Sequence, residues 1–135
     1  ISFSKKAHAK GVETALFMTH AYLHIDPRYE PNLIKKIKLA YYEAGKKSGS
    51  SVIPVGIAYE MAYKERPDIN LHHPDGTHPS LLGTMLSSFV VFVEITGVSP
   101  EGLNYNYLDK LSEEDLLFLQ KIAWEAYLEH KKQYN

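Results

Sequence analysis

Apolar residues along this chain fall into two short continuous runs and several longer stretches of helical spacing. From Ser4 to Lys10 the sequence is basic and helix-compatible, and Gly11 is a plausible stop. Val12 to Thr19 follows, with Ala15, Leu16, Phe17 and Met18 apolar in succession, the pattern of a strand buried on both faces. Pro27 and Pro31 punctuate a loop. Asn32 is then the expected N-cap of a helix whose stripe is Leu33, Ile34, Ile37, Ala40, Tyr41 and Ala44. Gly-Lys-Lys-Ser-Gly-Ser ends it. Ser51 to Val55 reads as a second short strand, with Pro54 near its end, where a missing N–H is tolerable. Gly56 to Lys64 fits a helix, and Arg66 to Pro79 a loop.

Ser80 to Thr96 is too apolar for a surface helix and predicts a mostly buried one, stopped by Gly97 and Pro100. The last element is the best signalled. Ser112 before Glu113, Glu114 and Asp115 marks a capped start with acidic groups at the positive end of the helix dipole. Leu116, Leu119, Ile122, Ala123 and Tyr127 form its inward stripe, and Lys131 and Lys132 lie near its negative end. Strand–helix alternation with continuous apolar strands predicts an α/β fold, a parallel sheet flanked by helices. Two strands are few for such a sheet, so the chain reads as the C-terminal half of an α/β domain.

Composition narrows the function. At 135 residues there is room for one domain, and a hydrophobic fraction of 44% is enough for a core. Fifteen Lys and Arg against sixteen Asp and Glu leave no basic footprint for nucleic acid or an anionic membrane. No apolar run approaches the ~20 residues that span a bilayer. With no cysteine, disulfides, thiolate catalysis and thiolate zinc sites are excluded. This leaves the compartment open, a secreted or periplasmic setting included. Neither a Gly-x-Gly-x-x-Gly run nor a P-loop is present, so no nucleotide cofactor is expected. The chain begins with Ile and no signal-peptide pattern, which suggests that a segment precedes it.

The densest polar stretch is Leu71-His72-His73-Pro74-Asp75-Gly76-Thr77-His78-Pro79-Ser80. Asp75 and His78 are three apart across Gly76. In a tight turn that spacing lets the carboxylate accept the imidazole Nδ1 proton, leaving the other nitrogen to take a proton from a hydroxyl. Pro79 would open the following helix in its first turn. The same residues also fit a plain turn, with Asp75 bonding to backbone and His78 merely exposed. A metal site is a further alternative, built from the three loop histidines with His20 and His24, although the spacing matches no standard zinc pattern.

In its wider context the chain resembles the SGNH (GDSL-type) hydrolases. The likeness rests on Ala-Leu-Phe-Met-Thr-His-Ala-Tyr, on Ser-Val-Ile-Pro-Val-Gly-Ile-Ala-Tyr-Glu, and on Asp-x-x-His-Pro-Ser with a Gly in the helix that follows. Phe-Leu-Gln-Lys-Ile-Ala-Trp-Glu-Ala-Tyr is similar to the terminal helix of one subgroup. These ordered segments run from about Lys10 to Tyr134. The resemblance implies a flavodoxin-like fold, His78 as catalytic base and Asp75 as its orienting carboxylate. It places Pro54, Val55 and Gly56 at the C-terminal end of a strand, where ligands of open α/β sheets bind. His20, Tyr22, Gly56 and His72 are the candidates for lining that cleft. No metal or other cofactor is implied.

The family's nucleophile, a serine in a Gly-Asp-Ser block, has no match here, nor does its Gly-x-Asn-Asp block. Serines occupy positions 2, 4, 48, 50, 51, 80, 87, 88, 99 and 112, none of them after Gly-Asp. The expectation is therefore a base and its orienter without their serine, supplied by an N-terminal fragment or second chain that also completes the sheet. The expected activity is hydrolysis of a carboxylic ester, with acetylated carbohydrate, lipid and small esters all open. A catalytically inactive binding module of the same fold is the alternative.

Overall fold

The computed structural model of the chain describes residues 2–134. Its order is α1 (Ser2–His8), β1 (Ala15–Phe17), α2 (Leu33–Ser48), β2 (Ser51–Ile53), α3 (Val55–Glu65), α4 (Leu81–Thr96) and α5 (Glu113–Tyr134). The fold is α/β and rich in helix. The strands pair in parallel, Ala15 with Ser51, Leu16 with Val52 and Phe17 with Ile53, which makes β1–α2–β2 a crossover unit.

Val52 meets α2 at Gly45, where an added Cβ would lie 2.9 Å from its side chain. That close approach accounts for a glycine at position 45, and α2 runs on through it, past the first residue of the expected stop. It ends at Gly49, whose positive φ of 67° lets its N–H reach the Gly45 carbonyl. On the other side of β2, α4 packs against the strand, and α3 and α5 pack on α4 and on each other. The core is continuous from Met18 and Val52 through Val55, Tyr59 and Leu71 to Leu86, Val90, Leu119 and Ile122.

Four local expectations are corrected. β1 is not buried on both faces: Ala15 and Phe17, which share a face, are exposed, with Phe17 at 46%, while Leu16 on the opposite face packs against the core. Asn32 does not cap α2 with its side chain; it adopts the left-handed conformation that Asn tolerates, with φ of 62°. The second strand stops at Ile53, and Val55 already belongs to α3. Pro79 precedes α4 and bridges to His72, while Ser80 caps the helix by accepting the Gly83 N–H at 3.1 Å. The expected caps elsewhere are present. Ser112 accepts the Asp115 N–H at 3.1 Å, and Gly97 closes α4 with its N–H on the Val93 carbonyl.

Candidate active site

The C-terminal ends of both strands meet the loop that carries Asp75 and His78. After β1 the chain continues into His20, Ala21 and Tyr22; after β2, Pro54 turns directly into α3. Gly56 lets these two exits touch. Its N–H bonds the Met18 carbonyl at 3.1 Å, and a Cβ there would lie 2.5 Å from the Thr19 carbonyl oxygen.

Within the 72–79 loop, the His73 N–H bonds the His78 carbonyl at 2.7 Å and the Gly76 N–H bonds the His73 carbonyl at 2.9 Å. Gly76 has a φ of 71°, a conformation that favours glycine. The resulting turn brings Asp75 Oδ2 to 2.6 Å from His78 Nδ1, while Asp75 Oδ1 accepts the backbone N–H groups of Thr77 (2.9 Å) and His78 (3.0 Å). The His78 ring beside it, then those two N–H groups, hold the Asp75 carboxyl well below the usual carboxylate range. An ionised carboxylate can only accept, so Nδ1 of His78 is the donor, and in a neutral ring so held Nε2 would present the lone pair. The His78 side chain is 75% exposed, and among the described residues none hydrogen-bonds its Nε2. This is the carboxylate-to-Nδ1 contact that the three-residue spacing predicts, and the backbone bonds of Asp75 and the exposure of His78 are also those expected of a plain turn.

The other histidines are differently placed. His72 is buried, with Nε2 donating to the Ala21 carbonyl at 2.9 Å and Nδ1 accepting from the Tyr63 hydroxyl at 2.7 Å. Burial lowers its pKa, so it is a neutral tie between the loop and the β1 exit. His20 stacks on Tyr59 (centroids 4.5 Å apart), meets His72 edge-on, and donates through Nε2 to the Thr77 carbonyl at 2.8 Å. Burial again lowers its pKa. His24 is exposed on an irregular segment, so His20 and His24 do not share a helix face. Among the described residues no three His, Asp or Glu side chains converge as a metal ligand set.

Tyr22, Gly56 and His72 line one small cavity of about 190 Å³, together with Tyr59 and Tyr63. His20 lines a second of about 500 Å³ with Phe17, Pro79 and Thr84. A wider cavity, about 660 Å³, lies instead around Ser50, Ser51 and His130, where β2 begins. Two tyrosines of the 190 Å³ cavity, Tyr59 and Tyr63, escaped the sequence reading. The Tyr59 ring backs His20, with burial pushing its hydroxyl up to about 12, and Tyr63 holds His72. Asp26 and Arg28 were missed as well. Their signal was an Asx-type turn at Asp26-Pro27-Arg28, where Asp26 accepts the Arg28 N–H at 2.7 Å.

Comparison with solved structures places the fold. A DUF4886 family protein from Bacteroides uniformis superposes with a TM-score of 0.79. The match covers 88% of this chain and 49% of that one, at 19% identity. The chain thus spans about half the length of the structure it matches. At that identity the likeness is one of fold. No family model matches the chain, and no curated protein matches it.

Ser4, Ser48, Ser50, Ser80, Ser87 and Ser88 are engaged elsewhere. Ser4, Ser48 and Ser50 form a buried network with Thr14 at the end of the sheet where β2 begins. Ser80 donates to the Asn70 carbonyl at 2.6 Å while capping α4, and Ser87 and Ser88 bond back to Gly83 and Thr84 carbonyls. Among the described residues no serine hydroxyl lies within hydrogen-bond distance of His78.

Proposed function

We propose that this chain supplies the His–Asp part of a serine ester hydrolase of the SGNH (GDSL) type, and that it forms the C-terminal part of one flavodoxin-like domain. The observation that carries the reading is the Asp75–His78 pair at 2.6 Å, with Nε2 open to solvent at the C-terminal end of a parallel sheet. The nucleophile and the remaining strands come from an N-terminal segment or a second chain. The backbone pattern offers a place for a strand. Thr14 and Met18 bond across to β2, so Ala15 and Phe17 turn their peptide groups to the open edge of β1.

In the assembled site, His78 Nε2 takes the proton of the serine hydroxyl as its oxygen attacks the ester carbonyl carbon. The imidazolium, held by Asp75, then gives that proton to the departing alcohol oxygen. A water molecule repeats the sequence on the acyl-enzyme and releases the acid. The substrate class is a carboxylic ester, of an acetylated carbohydrate, a lipid or a small alcohol.

A second reading, a binding module without activity, is favoured by the lack of a serine near His78 among the described residues. A fluorophosphonate probe on the native protein separates the two. The esterase reading expects one labelled serine in a Gly-Asp-Ser context outside residues 1–135, with labelling abolished in His78→Ala. Absence of any labelled serine from the folded protein favours the binding module.

A further inference from the structure

Asp75 and His78 lie on an exposed turn whose internal hydrogen bonds do not by themselves fix it to the rest of the fold. Catalytic groups need to be held by packing and by outer hydrogen bonds to act efficiently. Here the support comes from the loop that follows β1. Asp26 is only 4% exposed. Its Oδ1 accepts Arg28 Nε at 3.0 Å as well as the Arg28 N–H, and its Oδ2 accepts Arg28 Nη2 at 2.8 Å and the hydroxyl of Thr77. The same Nη2 lies 3.3 Å from Thr77 Oγ1, and the Arg28 guanidinium stacks 4.1 Å over the Tyr22 ring.

Thr77 is therefore gripped at three points. Asp26 takes its hydroxyl, His20 donates to its carbonyl, and its N–H is fixed on Asp75 Oδ1. One residue earlier, the Leu23 N–H bonds the Gly76 carbonyl at 2.9 Å, and Gly76 seats against Ile25, whose side chain leaves no room for a Cβ.

We infer that Asp26 is a positioning residue for the Asp75–His78 pair, acting through Thr77. The buried carboxylate sets the Thr77 hydroxyl, and the Thr77 N–H in turn sets Asp75 Oδ1, which aims Oδ2 at His78 Nδ1. Arg28 keeps Asp26 charged and correctly oriented. The catalytic consequence rests on the proposed function; the geometric claim does not.

The test pairs Thr77→Val, which removes the hydroxyl at nearly constant shape, with Thr77→Ser, which keeps it; Asp26→Asn is the third variant. Two-bond ¹H–¹⁵N correlation spectra, recorded where the imidazole is neutral, give the His78 tautomer ratio directly on the full chain. Wild type and Thr77→Ser should show mainly the Nδ1–H tautomer. Thr77→Val and Asp26→Asn should shift several-fold towards Nε2–H and lower kcat of the native protein roughly 10- to 100-fold at unchanged KM. A Thr77→Val protein with wild-type tautomer ratio, altered only in melting temperature, would reduce Asp26 to a loop staple and overturn the inference. A shifted tautomer ratio in a protein with no ester hydrolysis in any variant would uphold the positioning and remove the esterase reading instead.

Discussion

Gly83 lies inside α4, where replacement by alanine would ordinarily stabilise a helix by roughly 0.5–1 kcal/mol. The packing at this position predicts the opposite sign. A Cβ on Gly83 would lie 2.1 Å from the Leu71 carbonyl oxygen and 2.3 Å from the Tyr59 hydroxyl oxygen. Neither neighbour yields easily. Leu71 is fully buried and its carbonyl accepts the Ser80 N–H at 2.9 Å, so displacing it disturbs the α4 cap as well. Forcing a methyl into a filled core costs about 1–3 kcal/mol. A weakened hydrogen bond adds about 1 kcal/mol. Against the helix gain, Gly83→Ala should be net destabilising by about 2 kcal/mol, which for a chain of this size lowers the melting temperature by about 8 °C. Circular-dichroism melts of the two proteins measure it directly. A Gly83→Ala protein melting at or above wild type would refute the close approach of α4 to Leu71, and with it the placement of the 72–79 loop.

Further predictions concern buried polar groups. Gln120 is fully buried, its Oε1 accepting the Gly102 N–H at 3.2 Å and its Nε2 donating to the Leu103 carbonyl at 2.7 Å. Gln120→Ala removes both bonds and a buried side chain and, with residues 102 and 103 themselves exposed, should cost about 1–3 kcal/mol in urea unfolding, where a surface position would change by less than about 0.5. His130 has its pKa lowered to about 4, chiefly by burial and then by Lys131. Its proton is bound more tightly in the unfolded chain, so stability is fully present above pH 6.5 and falls as pH drops from 6.5 towards 4. The full shift sets an upper bound of about 3 kcal/mol; the ring lines an open cavity, which reduces the expected loss to about 1–2 kcal/mol. Denaturant midpoints at pH 7 and 4.5 should show a decline of that size, smaller in His130→Gln; equal declines in both proteins would contradict it.

What the sequence could show follows from the range of the interactions. The α5 start was legible because Ser112 and Asp115 bond within one turn, and the Asp75–His78 pair because three residues close on themselves. Strand order and helix positions followed from runs of apolar residues. Burial of β1 did not, since it depends on what lies beyond the strand rather than on Ala15 or Phe17 themselves. Asp26 was not singled out, because its decisive partner, Thr77, is 51 positions away. His72 was expected to line the cleft, or in the metal alternative to be a ligand, and only the fold brings Tyr63 and Ala21 to its two nitrogens. Gln120 interrupts an apolar stripe that conceals its burial under the Gly102–Leu103 segment.

The central claim is that His78, oriented by Asp75, is the base of an ester-hydrolysing site. Steady-state hydrolysis of p-nitrophenyl acetate by the native protein, wild type against His78→Ala, tests it most directly. Turnover is expected in wild type, with a loss of roughly 10³-fold or more in kcat/KM for the variant at unchanged fold. A folded His78→Ala protein that hydrolyses the ester as fast as wild type would contradict it.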